Sequence, residues 1–289
     1  MTARLTPEAF RRMRELLERC SGIALGEEKG YLVESRLAGL VAECGCADFE
    51  VFHRLAAQPG QDRLRERMVD AMTTNETLWF RDGHPFTILR ERLLPPLGAR
   101  LLEGGRNRIR IWSAASSTGQ EPYSIAMTVH EFCRATPGLR PEQFEILASD
   151  ISPTALAQAK AGRYDPAALA RGLSQARRDR FCHPDGRFWA VNEEVKRLVS
   201  FRRFNLQEPL APLGHFDIVF LRYVCIYFAE PFRRRLCRDL ARLLAPDGHL
   251  VISAVESLRE ADGDFIQLVH GGGSYYRCRP AREEARHGA

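Results

Sequence analysis

The chain has 289 residues and a formal net charge of +5, from 42 basic and 37 acidic residues. This length allows one large or two modest domains, each with its own core, and we expect two. The first 70 residues carry 11 Arg or Lys and 12 Asp or Glu. This balance argues against a basic nucleic-acid-binding arm, so no nucleic-acid partner is expected.

Cysteine usage and hydropathy narrow the class further. The eight cysteines include no C-x-x-C pair, which is typical of a cytosolic protein with reduced thiols. Cys44 and Cys46 lack further ligands nearby, so they are interpreted as packing residues and no metal site is predicted. The N-terminal segment lacks the apolar core of a signal peptide, and no stretch reaches the roughly 20 apolar residues that span a bilayer. We therefore expect a cytoplasmic protein that is not inserted in a membrane.

Residues 1–72 show a helical pattern. The first helix is predicted to start at Thr6, where a Thr-Pro-Glu sequence precedes apolar residues at helical spacing. Further helices are predicted at 29–44, at 48–57 and from residue 62 onward. Together they indicate a small all-helical N-terminal domain. A connector follows over residues 73–102, and its second half is also predicted to be helical.

Residues 103–280 alternate strands with helices, which indicates an α/β domain with a mostly parallel sheet and helices on both faces. The predicted strands are IRIWS (109–113), FEILASD (144–150), FDIVFLRYVCIYF (216–228), LVISAV (250–255) and SYYRCR (274–279). The segment at about 165–204 breaks the alternation, and we interpret it as a small antiparallel β insertion. Residues 281–289 are expected to be disordered.

The segment after the first strand has the features of a nucleotide-sized pocket. The loop from Ala114 to Gly119 consists of small residues and lies at the carboxyl end of a strand, where open sheets bind ligands. Pro122 suits the first position of the following helix, because its missing N–H is one of the unpaired donors there, and this places Glu121 beside the positive helix start. Glu121 is therefore either a helix cap or a ligand-binding residue. A GxGxxG sequence is absent, so a dinucleotide enzyme is not indicated.

A second acidic residue, Asp150, ends the next predicted strand. A carboxylate at a strand end can accept hydrogen bonds from both hydroxyls of a ribose. The alternative is a cap for the helix that begins just beyond it. The neighbouring loop at 114–119 makes the ribose role the favoured interpretation.

Four segments in order resemble the CheR-type chemoreceptor glutamate O-methyltransferases: TTNETLWFRD (73–82), WSAASSTGQEPYSIAM (112–127), ASDISPTALAQAKAGRY (148–164) and FDIVFLRYVCIYF (216–228). The resemblance covers essentially the whole chain. It implies a Rossmann-like S-adenosylmethionine methyltransferase domain that follows a receptor-recognition domain. It also implies an enzyme that esterifies glutamate side chains on the cytoplasmic signalling domain of methyl-accepting chemoreceptors and leaves S-adenosylhomocysteine. A monomer is expected.

The resemblance also implies roles for individual residues. Arg81 and Tyr227 would act in catalysis, with Arg81 holding the attacking carboxylate through two parallel bonds. Glu121 would bind the cofactor's ammonium group and Asp150 its ribose. The implied cofactor-binding residues are Asn75, Thr77, Arg81, Glu121, Asp150, Asn205, Leu206, Arg222 and Tyr223.

Two features depart from the family pattern. Tyr223 replaces the Asn that usually follows the strand-end Arg, so a bulky phenol stands where an amide could both donate and accept. This exchange leaves open an alternative, a regulatory protein that binds S-adenosylmethionine or S-adenosylhomocysteine with weak or no methyl transfer. In the second helix Arg36 is retained, but Gly39 and Ala42 stand where further cations are expected. Weaker attraction to an acidic receptor helix follows.

Overall fold

The computed structural model describes residues 5–256, 258 and 264–279. The predicted tail at 281–289 lies outside the described residues. Four helices form the first domain: α1 (Pro7–Ser21), α2 (Gly30–Glu43), α3 (Phe49–Ala56) and α4 (Asp62–Met72). Thr6 caps α1 by accepting a hydrogen bond from the Ala9 N–H at 3.1 Å. The apolar faces of the four helices share one core, as the helical pattern predicts.

The connector leads from this bundle into the second domain. Residues 73–83 are irregular, and α5 (His84–Ile88), one π-helical turn (Leu89–Leu93) and α6 (Leu94–Leu102) follow. Pro95 and Pro96 have no N–H to donate to the preceding turn, which accounts for the widened turn just before α6. The prediction of helices in this half of the connector is confirmed.

The described strands form two sheets. In chain order they are β1 (Ile109–Ala114), β2 (Phe144–Asp150), β3 (Arg163–Tyr164), β4 (Cys182–Asp185), β5 (Phe188–Val191), β6 (Val199–Arg203), β7 (Phe216–Leu221), β8 (Leu244–Val251), β9 (Phe265–His270) and β10 (Gly273–Cys278). The helices between them are α7 (Gln120–Ala135), α8 (Pro153–Ala161), α9 (Pro166–Ala170), α10 (Gln175–Phe181), α11 (Glu193–Lys196) and α12 (Glu230–Leu243).

The large sheet has seven strands in the order β6-β2-β1-β7-β8-β10-β9, and only β10 runs antiparallel to its neighbours. Alternate residues of the central strands enter two separate cores, because side chains of a strand point to opposite faces. Ile111 packs with α7 on one face, whereas Trp112 packs with α12 on the other. The predicted sheet with helices on both faces is therefore confirmed.

The sheet register brings three strand ends together. Ala114 at the end of β1 pairs with Ser149 of β2 on one side and with Leu221 of β7 on the other. Asp150 and Arg222 directly follow these partners, so they flank the loop after β1 at the carboxyl edge of the sheet. This is the edge where open α/β sheets bind ligands.

The antiparallel insertion is shorter than predicted. Its sheet has the order β3-β5-β4 and ends at Val191, whereas Val199–Arg203 pairs in parallel with β2 in the large sheet. As an edge strand, β6 is only partly buried, so its residues resemble those of an exposed hairpin. Between the small sheet and β6 the chain forms the short helix α11.

The far side of the sheet also differs from the prediction. β8 begins at Leu244, before the predicted start at 250, with a register irregularity against β7. It ends at Val251, before the predicted limit at 255. β9 was not predicted, because its alternately exposed residues follow a polar segment and lie at a sheet edge. No helix among the described residues is long and apolar enough to cross a membrane.

Candidate active site

A cavity of about 1000 Å³, which includes space open to solvent, lies at the carboxyl ends of β1, β2 and β7. Its walls come from the helical domain, the connector and the strand ends. All ten residues singled out from the sequence line this cavity: Asn75, Thr77, Arg81, Glu121, Asp150, Asn205, Leu206, Arg222, Tyr223 and Tyr227. Their meeting is the main structural support for the sequence interpretation, although their individual roles stay predictions.

The carboxylate of Glu121 is hydrogen-bonded to residues at the ends of the sheet strands rather than to the backbone at the start of α7. Its Oε1 accepts the hydroxyl of Ser113 at 2.8 Å, and its Oε2 accepts an N–H of Arg222 at 2.8 Å. The N-cap residue of α7 is Gly119, so the helix starts at Gln120 rather than at Pro122 as predicted, and no side chain caps this helix end. The helix-cap alternative for Glu121 is therefore wrong. Its carboxylate is partly neutralised by Arg222 and lines the cavity.

Gly119 is required by the packing around the loop after β1. Its φ is +97°, and an added Cβ would lie 2.9 Å from both the Ala159 Cβ and the Tyr164 hydroxyl. A side chain at this position would collide with α8 and with the small sheet. The glycine therefore lets α8 lie close to the loop after β1.

Asp150 links two loops through its buried carboxylate. Oδ2 accepts the N–H of Ser117 at 2.7 Å, and Oδ1 accepts the N–H of Ser152 at 2.9 Å. Ser152, not Asp150, caps α8 by accepting from Ala155, so the cap alternative for Asp150 is also wrong. Burial raises the pKa of Asp150, although the backbone N–H groups of Ser152, Ser117 and Ile151 act in the opposite direction. Each carboxylate oxygen keeps a lone pair for a further donor.

Arg222 is the charged centre of the site. Its side chain is only 2% exposed, and its guanidinium donates to Glu121, to Asp82 at 2.7 Å and to the carbonyl oxygen of Arg81 at 2.7 Å. It therefore joins the end of β7 to the start of α7 and to the connector. This residue acts as an internal tie between the elements of the cavity wall, beside any contact with a cofactor.

Replacing Arg222 by Met should strongly destabilise the protein, because Glu121 and Asp82 would lose their counter-charge. Breaking a buried ion pair from one side costs about 3–5 kcal/mol, and the partial exposure of Asp82 favours the lower end. Urea unfolding measures this change. The matched control is Arg234→Met, whose partner Glu230 lies on an exposed helix face; we expect about 0–1 kcal/mol there. Equal unfolding midpoints for the two variants would contradict the role of Arg222.

Arg81 and Tyr223 form a stacked pair at the cavity. The guanidinium carbon of Arg81 lies 3.3 Å from the centre of the Tyr223 ring. The Tyr223 hydroxyl donates to Asp82 at 2.9 Å, and burial followed by this bond raises the pKa of Tyr223. Arg81 also donates a hydrogen bond to the carbonyl of Glu76 at 3.1 Å. Within the described part of the chain it forms no ion pair.

Backbone strain is concentrated around this cavity. Each of the described non-glycine residues with positive φ either lines the cavity or adjoins Arg81: Phe80, Asp82, Ala115, Ser117 and Tyr223. Such conformations cost free energy and persist where the surroundings enforce them, often at functional sites. At Tyr223, with φ of +58°, the usual Asn of the family would be better tolerated.

Several of the remaining predicted residues connect separate segments of the chain. Asn205 donates to the carbonyl of Cys20 at the end of α1, at 2.8 Å, and accepts from the N–H of Gln207. The carbonyl of Tyr227 accepts the N–H of Ala24 at 2.8 Å. The carbonyl of Asn75 accepts the Ser117 hydroxyl at 2.9 Å. The Asn205 side chain is therefore engaged by protein partners, while Thr77 and Leu206 contribute cavity wall.

The sequence analysis missed two carboxylates that support the cavity wall from behind. Asp82 follows Arg81 directly and receives bonds from Arg222 and Tyr223. Glu256 follows β8 and accepts hydrogen bonds from the loop after β7. Glu256 directly follows the strand predicted at 250–255, and this position was the available signal. Among the described residues, no group of three or more His, Cys, Asp or Glu could hold a metal ion.

The residues present fit S-adenosylmethionine. Two carboxylates, Glu121 and Asp150, stand at neighbouring strand ends, and Ile151 and Leu206 add apolar wall. The seven-strand order with one antiparallel strand, together with this site, defines a Rossmann-like S-adenosylmethionine-dependent methyltransferase. The family model for the CheR methyltransferase SAM-binding domain matches residues 75–271, and the model for its all-alpha domain matches residues 8–73. The chain belongs to the CheR methyltransferase family.

Named relatives cover nearly the full length of the chain. It is 42% identical to chemotaxis protein methyltransferase Cher2 of Pseudomonas putida, over 93% of this chain and 98% of the relative. It is 45% identical to a chemotaxis protein methyltransferase of Vibrio anguillarum, over 95% and 98%. For chemotaxis protein methyltransferase 1 of Pseudomonas aeruginosa the identity is 42%, over 93% and 97%.

Proposed function

We propose that this enzyme methylates glutamate side chains on the cytoplasmic signalling domain of methyl-accepting chemoreceptors. Arg81 is the observation that carries the proposal. Its guanidinium lines the cavity, lies against Tyr223 and has no carboxylate partner among the described residues. A guanidinium in this state suits a carboxylate that arrives from outside, since it can form two parallel hydrogen bonds with it. The cytoplasm is the matching location.

The reaction needs little proton chemistry. A glutamate with a pKa of about 4.3 is ionised near pH 7, so the nucleophile needs no general base. When bound, S-adenosylmethionine supplies a methyl group on a positively charged sulfur. The protein's task is to align the carboxylate with that methyl group and to exclude water. Arg81 would orient the carboxylate, and the Tyr227 hydroxyl would donate a further hydrogen bond.

Cofactor contacts follow from where the carboxylates lie. Asp150 would accept the ribose hydroxyls with its remaining lone pairs. Glu121 would face the ammonium group, with its charge tempered by Arg222. Leu206 would contact the adenine, and Asn75 and Thr77 would close the connector side. Because Asn205 and Arg222 already have protein partners, we assign them mainly to placing the cavity walls.

The helical domain supplies the receptor-recognition surface in this proposal. Arg36, the basic residue retained on α2, donates to the carbonyls of Met72 and Thr73 at 2.8 and 3.2 Å and to the Thr74 hydroxyl at 3.2 Å. It holds α2 to the connector and has few donors left for a receptor. Recognition would therefore depend less on electrostatic attraction than the family pattern implies, and receptor methylation should be only weakly salt-dependent.

The test uses cofactor labelled in the methyl group, the full-length protein and receptor-rich membranes of its own source. We expect label on receptor bands that is released by mild base, because a glutamate methyl ester is base-labile. Receptor fragments with the methylated glutamates changed to alanine serve as the control. Tight cofactor binding without label on any receptor would instead support the regulatory alternative. Base-stable label would indicate another acceptor group.

A further inference from the structure

The carboxylate of Glu256 is surrounded by hydrogen-bond donors. Oε2 accepts the backbone N–H of Tyr223 at 2.8 Å, and Oε1 accepts those of Val224 at 3.0 Å and Cys225 at 2.9 Å. Oε2 also accepts the N–H of Ser253 at 3.2 Å and its hydroxyl at 2.6 Å. Three successive amides that converge on one anion form a nest. Bonds of this kind to a charged acceptor are the strong ones.

These contacts fix the segment that carries two active-site residues. Tyr223 has the strained φ of +58°, and its ring supports the guanidinium of Arg81. Cys225 begins a 3-10 helix of one turn, which ends at Tyr227. Glu256 itself does not line the active-site cavity. It can therefore influence the reaction only through the residues that it holds.

We infer that Glu256 is a positioning residue for methyl transfer, which holds Tyr223 in its left-handed conformation and thereby places Arg81. This inference rests on the proposed function, in which Arg81 orients the acceptor carboxylate. It assigns Tyr223 a supporting role: a platform for Arg81 whose hydroxyl is anchored on Asp82. The larger side chain at this position then demands a firm hold on the backbone, which the nest around Glu256 supplies.

Glu256→Gln is the first test. The glutamine carbonyl keeps one acceptor, but its NH₂ group cannot accept and would face backbone N–H donors. We expect kcat for receptor methylation to fall about tenfold or more, with the cofactor Kd changed less than about threefold. Glu145→Gln is the matched control, because that carboxylate pairs with Arg108 and Arg110 at the opposite edge of the sheet. Unchanged kcat in Glu256→Gln would overturn the inference.

A double-mutant cycle separates positioning from simple stabilisation. Tyr223→Asn places a residue that tolerates positive φ at this position, so the loop should need Glu256 less. Glu256→Gln should then reduce kcat by a smaller factor in the Tyr223→Asn background than in the wild type. Equal factors in both backgrounds would show that Glu256 does not act through Tyr223, and would overturn the inference. Glu256→Asp, shorter by one methylene, should give an intermediate kcat.

Amide hydrogen exchange tests the same contact without any activity measurement. The amides of Tyr223, Val224 and Cys225 should exchange about tenfold faster or more in Glu256→Gln, and at unchanged rates in Glu145→Gln. Unchanged exchange in the Glu256 variant would overturn the inference even if wild-type methylation is confirmed. If the wild type methylates no receptor, the proposed function fails, and accelerated exchange still establishes that Glu256 holds the loop.

Discussion

Arg81→Ala is expected to lower kcat for receptor methylation by roughly 100-fold, since a bidentate charge-assisted contact to the acceptor carboxylate would be lost. The guanidinium carbon of the wild-type residue lies 3.3 Å from the centre of the Tyr223 ring, so the position of this group is set before the receptor binds. Arg81→Lys keeps the charge but loses the planar fork and most of the stacking. We expect that variant to lose roughly tenfold in kcat. Initial rates at saturating cofactor measure both effects.

Arg235→Ala is the matched control for Arg81. That arginine also stacks on an aromatic ring, with its guanidinium carbon 4.9 Å from the centre of Phe232, but it does not line the cavity. Its removal should leave methylation unchanged. The cofactor Kd should change less than about tenfold in Arg81→Ala. Wild-type turnover in Arg81→Ala would refute the proposed role of this residue.

Asp150→Ala is expected to raise the cofactor Kd by roughly 100-fold, because two hydroxyl contacts to a charged acceptor would be lost. At saturating cofactor, kcat should stay near the wild-type value, since Asp150 does not orient the acceptor. Isothermal titration with S-adenosylhomocysteine measures the affinity without turnover. Asp165→Asn is the control, because Asp165 is a helix cap on α9 that accepts from Ala168. An unchanged Kd in Asp150→Ala would contradict the ribose role.

The pH dependence of cofactor affinity provides a second signature of Asp150. Burial raises its pKa above the ordinary value of 3.8. Only the ionised carboxylate can accept hydrogen bonds from both ribose hydroxyls. The cofactor affinity should therefore be highest above the raised pKa and should fall as the pH decreases through it. The loss should therefore begin at a higher pH than for an exposed aspartate. In Asp150→Asn the affinity is already low, and this step should be missing from the pH profile.

The parts of the fold that the sequence predicted are those with a strong local signal. Residue periodicity predicts the alternation of strands with helices, and cap chemistry predicts the helix that starts after Thr6. Both features are present. β6 was misplaced, because an edge strand with partly exposed residues carries the same pattern in a hairpin as in a sheet. Pairing partners of such strands depend on the rest of the fold rather than on local residues.

The site shows the same division. Glu121 and Asp150 could be predicted because they stand at strand ends, where topology brings ligand-binding groups together. The partners of these carboxylates could not, because Arg222 is 101 residues away from Glu121 along the chain. Positive φ at Tyr223 was equally hidden, since a tyrosine is not a residue that signals this conformation. The nest around Glu256 depends on that backbone geometry, so it could not be predicted from the sequence either.

The side chain of Asp70 connects the helical domain to the segment that follows β2. From α4 of the helical domain it accepts the hydroxyls of Ser152 at 2.5 Å and Thr154 at 2.6 Å, and Ser152 donates its N–H to Asp150. Two successive hydrogen bonds, through Ser152, therefore link the helical domain that is proposed to recognise the receptor to Asp150, the residue proposed to bind the ribose. Any strain that docking places on α4 reaches the cofactor loop directly. Linkage between binding sites is reciprocal. If a bound receptor changes the cofactor affinity by some factor, the bound cofactor therefore changes the receptor affinity by the same factor.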